Sequence, residues 1–413
     1  MNVTITPFSA KGEIIAPPSK SFAHRLMIAA FLAGGDCLVK NVGDSEDVKA
    51  TISVITALGG KVMYDGKNAF IGEINHPKEA VADCGESGST LRFFIPVAAA
   101  LGIRCRFTGK GRLLSRPIGA YNDCFNGSGA KISDHTISGK LKCGTYTIDG
   151  SLSSQFVSGL LFGLSALNGQ SRIILIGKEV SGGYIDITVK TLETFGVKVV
   201  RTADGFLING GNYAKVKEVT AEGDWSGAAF PLSLGAINGA VTVKGLNFPS
   251  LQKDSEIVEI LKKFGAKVEI SNGAVTVKRG KLKAIKDINL EDVPDLAQTI
   301  AAVAAYAEGT TELHGVERLK IKESDRISAI TDTLKAAEIF SEYDGETLRI
   351  KGSIPKGFKV SGGNDHRTVM SAAVLAAAAE GKSEITGAEA HKKSYVAFFD
   401  DYVKLGGKID VDL

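Results

Sequence analysis

SGSTLRFFIPVAAALG, residues Ser87–Gly102, opens on small polar residues, carries one cation at Arg92, and then runs apolar to a glycine. Its start offers a helix N-cap, whose side-chain oxygen accepts an N–H that the first turn leaves without a partner. Gly102 supplies a C-terminal stop. Stretches of the same kind end at Gly34, Gly102, Gly169, Gly239, Gly309 and Gly381, at separations of 68, 67, 70, 70 and 72 residues. A second signal, a small-residue pair followed by Lys and then Val or Ile, recurs at Lys61-Val62, Lys131-Ile132, Lys198-Val199, Lys267-Val268 and Lys408-Ile409. The remaining copy reads Ala337-Glu338-Ile339 and lacks its Lys. Two independent signals with one period define a sixfold repeat.

Each unit reads as strand, helix, strand, helix and a strand pair, with β-rich runs such as Arg172–Ile176, Lys198–Arg201 and Ala240–Val243. The period is longer than the ~20–47 residues of a solenoid repeat. At ~100–200 residues per domain, 413 residues fit two or three domains. The expectation is an α/β fold of two similar lobes, each of three β-α-β-α-β-β units. No low-complexity linker separates them.

Hydrophobic residues make up 44% and charged residues 23%, as in ordinary globular chains. A net charge of +3 without any Lys/Arg block argues against a nucleic-acid partner. The opening MNVTITPFSA lacks a basic segment followed by an apolar core, so no signal peptide is expected. Apolar stretches such as Ala301–Ala307 and Ala372–Ala379 fall short of the ~18 residues of a membrane helix. The five cysteines form no CxxC pair, which fits reduced thiols in the cytoplasm.

The first helices of the six units start at Ser19-Lys20-Ser21, Ser87-Gly88-Ser89-Thr90, Ser153-Ser154-Gln155, Gly223-Asp224-Trp225-Ser226, Pro294-Asp295 and Asn364-Asp365-His366-Arg367. Capping alone accounts for the Ser, Asp and Asn residues. It does not account for Lys20, Arg25, Arg92 and Arg367, because a cation near a helix N-terminus opposes the helix dipole. A bound anion reconciles these charges with the free N–H groups. Two lobes facing each other with their helix starts would then form an anion-binding cleft.

The usual phosphate motifs are missing. Gly381-Lys382-Ser383 has Ala376 where a Walker loop needs its first Gly, no GxGxxG opens a βαβ unit, and the six histidines show no metal spacing. His24 and His366 read as helix-start or packing residues. Gly109-Lys110-Gly111-Arg112 with Ser115-Arg116-Pro117-Ile118-Gly119 is a basic, turn-rich loop, either solvated or ligand-binding. Lys320–Arg326 packs five charges into seven positions before an apolar helix. It is either a solvated helix start with local ion pairs or a site in which Glu323 moves protons among cations.

Taken in order, Pro18-Ser-Lys-Ser-Phe-Ala-His-Arg25, Glu86-Ser-Gly-Ser-Thr-Leu-Arg92, Arg116-Pro-Ile-Gly119, Ser153-Ser-Gln155, Glu222-Gly-Asp224, Pro294-Asp295, Lys322-Glu-Ser-Asp-Arg326, Asn364-Asp-His-Arg367 and Lys393-Ser-Tyr395 resemble the enolpyruvyl transferases, and more closely the branch that acts on shikimate 3-phosphate. The resemblance spans essentially the whole chain. It implies an inside-out α/β barrel in each lobe and a ligand cleft between lobes. The implied lobes are residues 1–15 with 222–413, completed by the N-terminal strand, and residues 16–221; closure would exclude water. It also implies transfer of the enolpyruvyl group of phosphoenolpyruvate to the 5-hydroxyl of shikimate 3-phosphate by addition and elimination, on the route to chorismate and aromatic amino acids. By resemblance, Lys20, Ser21, Arg25, Ser153, Ser154, Gln155, Ser181, Tyr184, Asp295 and Lys322 meet shikimate 3-phosphate. Lys20, Gly88, Arg116, Gln155, Arg326, Arg367 and Lys393 meet phosphoenolpyruvate. Asp295 serves the hydroxyl and Glu323 serves C3, with Lys20 a further proton-transfer candidate. No metal or organic cofactor is implied, and the working unit is a monomer with small-molecule partners.

Some positions depart from the family pattern. Pro18 stands where Gly is usual, Glu86-Ser87 replaces Asn-Ala, and Arg318 stands where an Asn often meets substrate. The nearest alternative is a transferase acting on UDP-N-acetylglucosamine, whose pattern has Lys-Asn at Lys20-Ser21 and a Cys in the loop Gly109–Pro117, which has none here. RNA phosphate cyclases share a related repeat but use a nucleotide and a histidine nucleophile, for which no motif stands out. A non-catalytic anion-binding protein is a third reading, opposed by the carboxylates Asp295 and Glu323. Asp295→Ala is expected to cost turnover more than stability, and Gly88 leads us to expect that glyphosate competes with phosphoenolpyruvate.

Overall fold

The structure, a computed structural model, describes residues 1–412. Its strands form six four-stranded sheets. In one of them Glu79–Asp83 runs parallel to Arg104–Thr108, which pairs antiparallel with Thr136–Gly139, which pairs antiparallel with Ala130–Ser133. All six sheets repeat that order and those directions. The sequence expectation of a strand, helix, strand, helix and strand pair is therefore met six times. In five of the six strand pairs the Lys of the second sequence signal is exposed while the Val or Ile beside it is buried or half-buried, as alternation along a strand requires. In the sixth copy the structure shifts the register from the Ala337-Glu338-Ile339 of the sequence reading: Glu338 takes the place of the left-handed glycine, and the Lys position holds Phe340, which is 62% exposed.

The chain divides into two compact units, Met1–Pro17 with Glu222–Leu413 and Pro18–Ala221. Three strand placements tie the N-terminal segment and the return crossing into them. Asn2–Thr6 lies between Ser383–Thr386 and Lys408–Asp412 and completes the last sheet. Ala10–Ile15 pairs in parallel with Gly239–Lys244, although the helix after it, Lys20–Leu32, belongs to the other unit. Glu218–Thr220 pairs in parallel with Cys37–Lys40, and the helix after it, Trp225–Asn238, belongs to the first unit.

Each unit is an inside-out α/β barrel with one continuous apolar core. The first helices of the repeats are buried on all sides. Every residue of Trp225–Asn238 except Asn238 is buried, as is every residue of Gly88–Leu101 except Ser89 and Leu101. The second helices are amphipathic. Ile257–Phe264 buries Ile257, Val258, Ile260, Leu261 and Phe264 and leaves Lys262 and Lys263 outside, which is one face of a 3.6-residue period. Pro96 inside Gly88–Leu101 removes the N–H that would bond to the Arg92 carbonyl. The buried Tyr121 hydroxyl donates to that carbonyl at 2.7 Å, so no buried acceptor is stranded.

The repeat glycines do not all end helices. Gly102 is a left-handed C-cap (φ 72°) and Gly239 is the C-cap of Trp225–Asn238 as well as the first residue of a strand, but Gly169 only opens a strand, and Gly309 and Gly381 lie five residues beyond Ala304 and Ala376, where their helices end. A strand entry beside a packed helix uses glycine for close approach: a Cβ on Gly239 would lie 1.8 Å from the Ala10 carbonyl oxygen.

The second helices stop more regularly. Gly59, Gly196, Gly265 and Gly406 follow them in the left-handed region, and Glu338 takes that conformation (φ 59°) after Arg326–Ala336. A side chain there costs ~1–2 kcal/mol. Glu338→Gly is therefore expected to raise stability by about 0.5–1 kcal/mol, the relief of strain less the chain entropy that glycine adds. Urea midpoints would check this, and an unchanged or lower midpoint would show that the Glu338 side chain recovers its own strain.

Candidate active-site residues

The unit Pro18–Ala221 gathers its expected residues at the starts of three buried helices and one second helix. Ser19 is the N-cap of Lys20–Leu32, so Lys20 and Ser21 occupy the first turn. Lys20 Nζ donates to Asp47 Oδ2 at 2.7 Å. Arg25, one turn on, is buried. Its Nε donates to Thr188 Oγ1 at 2.7 Å and its Nη1 to the Ser21 carbonyl at 2.8 Å, while Cζ stands 4.9 Å from the centroid of the Phe93 ring. Thr188 lies in Gly182–Thr194, whose start carries Ser181 and Tyr184, so Arg25 locks that helix to the first one. Ser181 is buried and held at φ 54°. Such strain in a non-glycine residue clusters at functional sites.

Gly88 is the first residue of its helix. A Cβ on it would come 2.5 Å from Arg116 Nη1, so the structure seats the Arg116 guanidinium directly against the Gly88 α-carbon. The basic loop of the sequence is therefore folded onto a helix N-terminus and is not simply solvated. Ser153 caps Ser154–Ser165 by accepting from the Gln155 N–H. Ser154 is buried beside it. Gln155 reaches across with both ends of its amide: Nε2 donates to Ser89 Oγ at 2.9 Å, and Oε1 accepts from Arg92 Nη1 at 2.6 Å.

His24 joins two of these helix starts. Thr90 Oγ1 donates to Ser87 Oγ at 2.8 Å, so it must accept from Thr51 Oγ1, 2.8 Å away. Thr51 has then used its only proton, so His24 Nδ1, 2.6 Å from it, is the donor. Burial, with Lys20 and Arg25 nearby, holds the His24 pKa well below its ordinary value and keeps the ring neutral.

In the other unit the expected residues Asp295, Glu323, Arg326 and Arg367 join one buried, hydrogen-bonded ionic cluster. Pro294–Leu296 is a 3₁₀ turn, and Asp295 does not cap the helix Ala297–Ala304, contrary to the sequence expectation. Its carboxylate instead accepts from Arg326 Nη1 and meets Arg367 Nη2, both at 3.0 Å, and its carbonyl accepts from Arg367 Nη1 at 3.0 Å. Arg326 is 2% exposed and also donates from Nη2 to Glu323 Oε2 at 2.7 Å and from Nε to Asp365 Oδ2 at 2.8 Å. Asp365 meanwhile caps His366–Ala376 through the Arg367 N–H. Lys393 Nζ donates to the Asn364 carbonyl at 2.7 Å, at the entry to that helix.

The charges in this cluster set one another. Burial alone would raise the Asp295 pKa, but Arg367, Lys322 and Arg326 outweigh it and hold the carboxyl ionised, far below the usual range. Burial likewise opposes the Arg326 charge, and Asp365, Glu323 and Asp295 more than restore it. Burial pulls Lys322 down to about 8, with Asp295 raising it and Arg326 lowering it further. Arg318 is lowered by burial and supported by Glu291, Asp295 and Asp292, which puts another cation at the edge of the cluster.

A model of the family described as EPSP synthase (3-phosphoshikimate 1-carboxyvinyltransferase) matches residues 6–402. The chain belongs to the EPSP synthase family. It is 39% identical to the 3-phosphoshikimate 1-carboxyvinyltransferase of Clostridium kluyveri over 99% of this chain and 98% of that one. It is 36% identical to the protein of that name from Brachyspira hyodysenteriae over 99% and 100%. The fold matches EPSP synthase from Acinetobacter baumannii with a TM-score of 0.83 at 23% identity over 100% of both chains. It also matches the enolpyruvyl transferase NikO from Streptomyces tendae with a TM-score of 0.78 at 16% identity, over 99% and 98%.

Sequence reading missed Asp47, Arg92 and Asp365 as members of these constellations, and with them Ser226, whose Oγ accepts from Arg367 Nη2, and Asp254, whose carboxylate accepts from Ser226. Asp47 and Asp365 sit at helix starts, where acidic residues are expected for the dipole or the cap alone. Arg92 is marked in the sequence only as a cation near a helix start. Nothing local marked Asp254, and no helix among the described residues is long and apolar enough to cross a membrane.

Proposed function

We propose that this chain transfers the enolpyruvyl group of phosphoenolpyruvate to the 5-hydroxyl of shikimate 3-phosphate, acting as a monomer in the cytoplasm on the route to chorismate and aromatic amino acids. The observation that carries the reading is the Asp295 cluster, an ionised carboxylate pressed against Arg326 and Arg367 with Glu323 on the same guanidinium. A receptor that only bound anions would gain nothing from carboxylates placed there, because each one repels the ligand.

The 5-hydroxyl oxygen attacks C2 while Asp295 takes its proton, and the C2–C3 π pair takes a proton at C3 from Glu323 or Lys20. In the second step C3 gives its proton back to the same group, the C2–C3 double bond re-forms, and the bond from C2 to the phosphate ester oxygen breaks with its pair leaving on phosphate, which takes up the hydroxyl proton held on Asp295. Acid–base help of this kind is worth ~10²–10⁴ in rate. Lys20, Gly88, Arg116, Gln155, Arg326, Arg367 and Lys393 receive phosphoenolpyruvate, and fixed cations around the departing phosphate stabilise charge where it develops. Lys20, Ser21, Arg25, Ser153, Ser154, Gln155, Ser181, Tyr184, Asp295 and Lys322 receive shikimate 3-phosphate. Arg326 must exchange one of its carboxylate partners for the substrate.

Phosphate release from phosphoenolpyruvate should be measured with shikimate 3-phosphate and, separately, with UDP-N-acetylglucosamine. Release with the first alone is expected; release with the second, or with neither, would sink the reading.

The pH profile carries a second test. A lysine lowered to about 8 loses its charge above that pH, so kcat/KM should fall as pH rises through about 8, and Lys322→Arg should remove that limb. A wild-type profile flat to pH ~10 would show that the Lys322 charge is not required.

A further inference from the structure

Asp254 is 2% exposed and lies in the 3₁₀ turn Lys253–Glu256, far in sequence from every residue assigned above. Its Oδ2 accepts from Ser226 Oγ at 3.0 Å, and Ser226 Oγ accepts from Arg367 Nη2 at 2.9 Å. A hydroxyl has one proton, and Ser226 gives it to Asp254, so the direction Arg367 to Ser226 to Asp254 is fixed. The same turn grips the start of Trp225–Asn238 from a second point. Gln252 Nε2 donates to the Gly223 carbonyl at 2.8 Å, and its Oε1 accepts from the Trp225 N–H at 3.1 Å. Ser226 is thereby held on one side while its acceptor lone pair faces Arg367. The buried negative charge behind it strengthens that acceptor, because hydrogen bonds in a low-dielectric chain polarise one another.

The Asp295 carbonyl holds Arg367 Nη1, but Nη2 is shared between Ser226 and the Asp295 carboxylate, which in the proposed reaction also serves the substrate hydroxyl. Ser226 has no other task in the mechanism. We propose that Asp254, acting through the Ser226 hydroxyl, orients the Arg367 guanidinium to receive phosphoenolpyruvate, which makes it a positioning residue for that substrate. The proposal rests on the reading that Arg367 meets phosphoenolpyruvate.

The test uses the full chain and phosphate-release kinetics with each substrate varied in turn. Asp254→Asn keeps an acceptor for Ser226 but removes the charge, and Ser226→Ala removes the link. Each is expected to raise KM for phosphoenolpyruvate roughly tenfold, the size of one hydrogen bond to a charged group, with KM for shikimate 3-phosphate unmoved. In the Ser226→Ala background, Asp254→Asn should add nothing, because the two residues act as one unit. Equal rises in both KM values, or additive effects of the two substitutions, would reduce Asp254 to a structural residue and overturn the proposal. If Asp254→Asn fails to fold, Ser226→Ala decides alone, and an unchanged KM for phosphoenolpyruvate overturns it. Arg367→Lys separates the two readings. If that variant leaves KM for phosphoenolpyruvate unchanged, the assignment of Arg367 is what fails; if it raises KM while both partner variants do not, only the Asp254 proposal fails.

Discussion

Asp295→Asn is expected to lower kcat by about 10²–10⁴ while the protein still folds. Asparagine has nearly the same shape and keeps one oxygen for Arg326 or Arg367, but it cannot take a proton from the substrate hydroxyl. Arg326 retains Glu323 and Asp365, so its buried charge stays paired. Asp295→Ala is a poorer experiment than the sequence alone indicates. Removing one partner of a buried ion pair typically costs ~3–5 kcal/mol, because the charge left behind has lost its water and its counter-ion. With Asp295 bridging two buried arginines, the alanine variant confounds turnover with stability. Steady-state phosphate release and a denaturation midpoint should be measured on the same asparagine sample. A kcat within tenfold of the wild type would remove Asp295 from the proposed mechanism.

Lys20→Met is expected to lower kcat/KM by about 10³ or more, combining one lost charge-assisted contact with a lost proton-transfer group. Methionine fills nearly the same volume without the charge. Asp47, whose side chain is 16% exposed, loses its partner but can recruit water, so the fold should survive. Lys20→Arg keeps the charge but replaces a compact ammonium with a planar fork, and should restore binding better than turnover. Activity of Lys20→Met within tenfold of the wild type would leave the Lys20–Asp47 pair as a structural link between two helices.

The constellations were unevenly legible in the sequence. Gly88 and Arg116 were both expected in one site, and the structure presses them together. Glu323 and Arg326 lie three residues apart, Glu323 in the bend that leads into the helix Arg326–Ala336, so their contact is local in the chain. Asp295 stands at the head of a repeat, as its sequence position indicates, but it makes no cap, because Pro294 starts a 3₁₀ turn there.

The sequence by itself determined the sixfold period, the order of elements within each unit, and the polar helix starts that carry the cations. These follow from hydrophobic periodicity, hairpin spacing and helix-end chemistry, all of which act over a few residues. Only the tertiary structure decided which charges meet. Arg326 finds Asp295 from 31 residues away and Arg367 finds Ser226 from 141, on elements brought together by burying apolar helices. Burial is non-directional and leaves no mark on the sequence of the partner. The same packing removes water from the cluster, and that loss makes the pairing of each buried charge decisive.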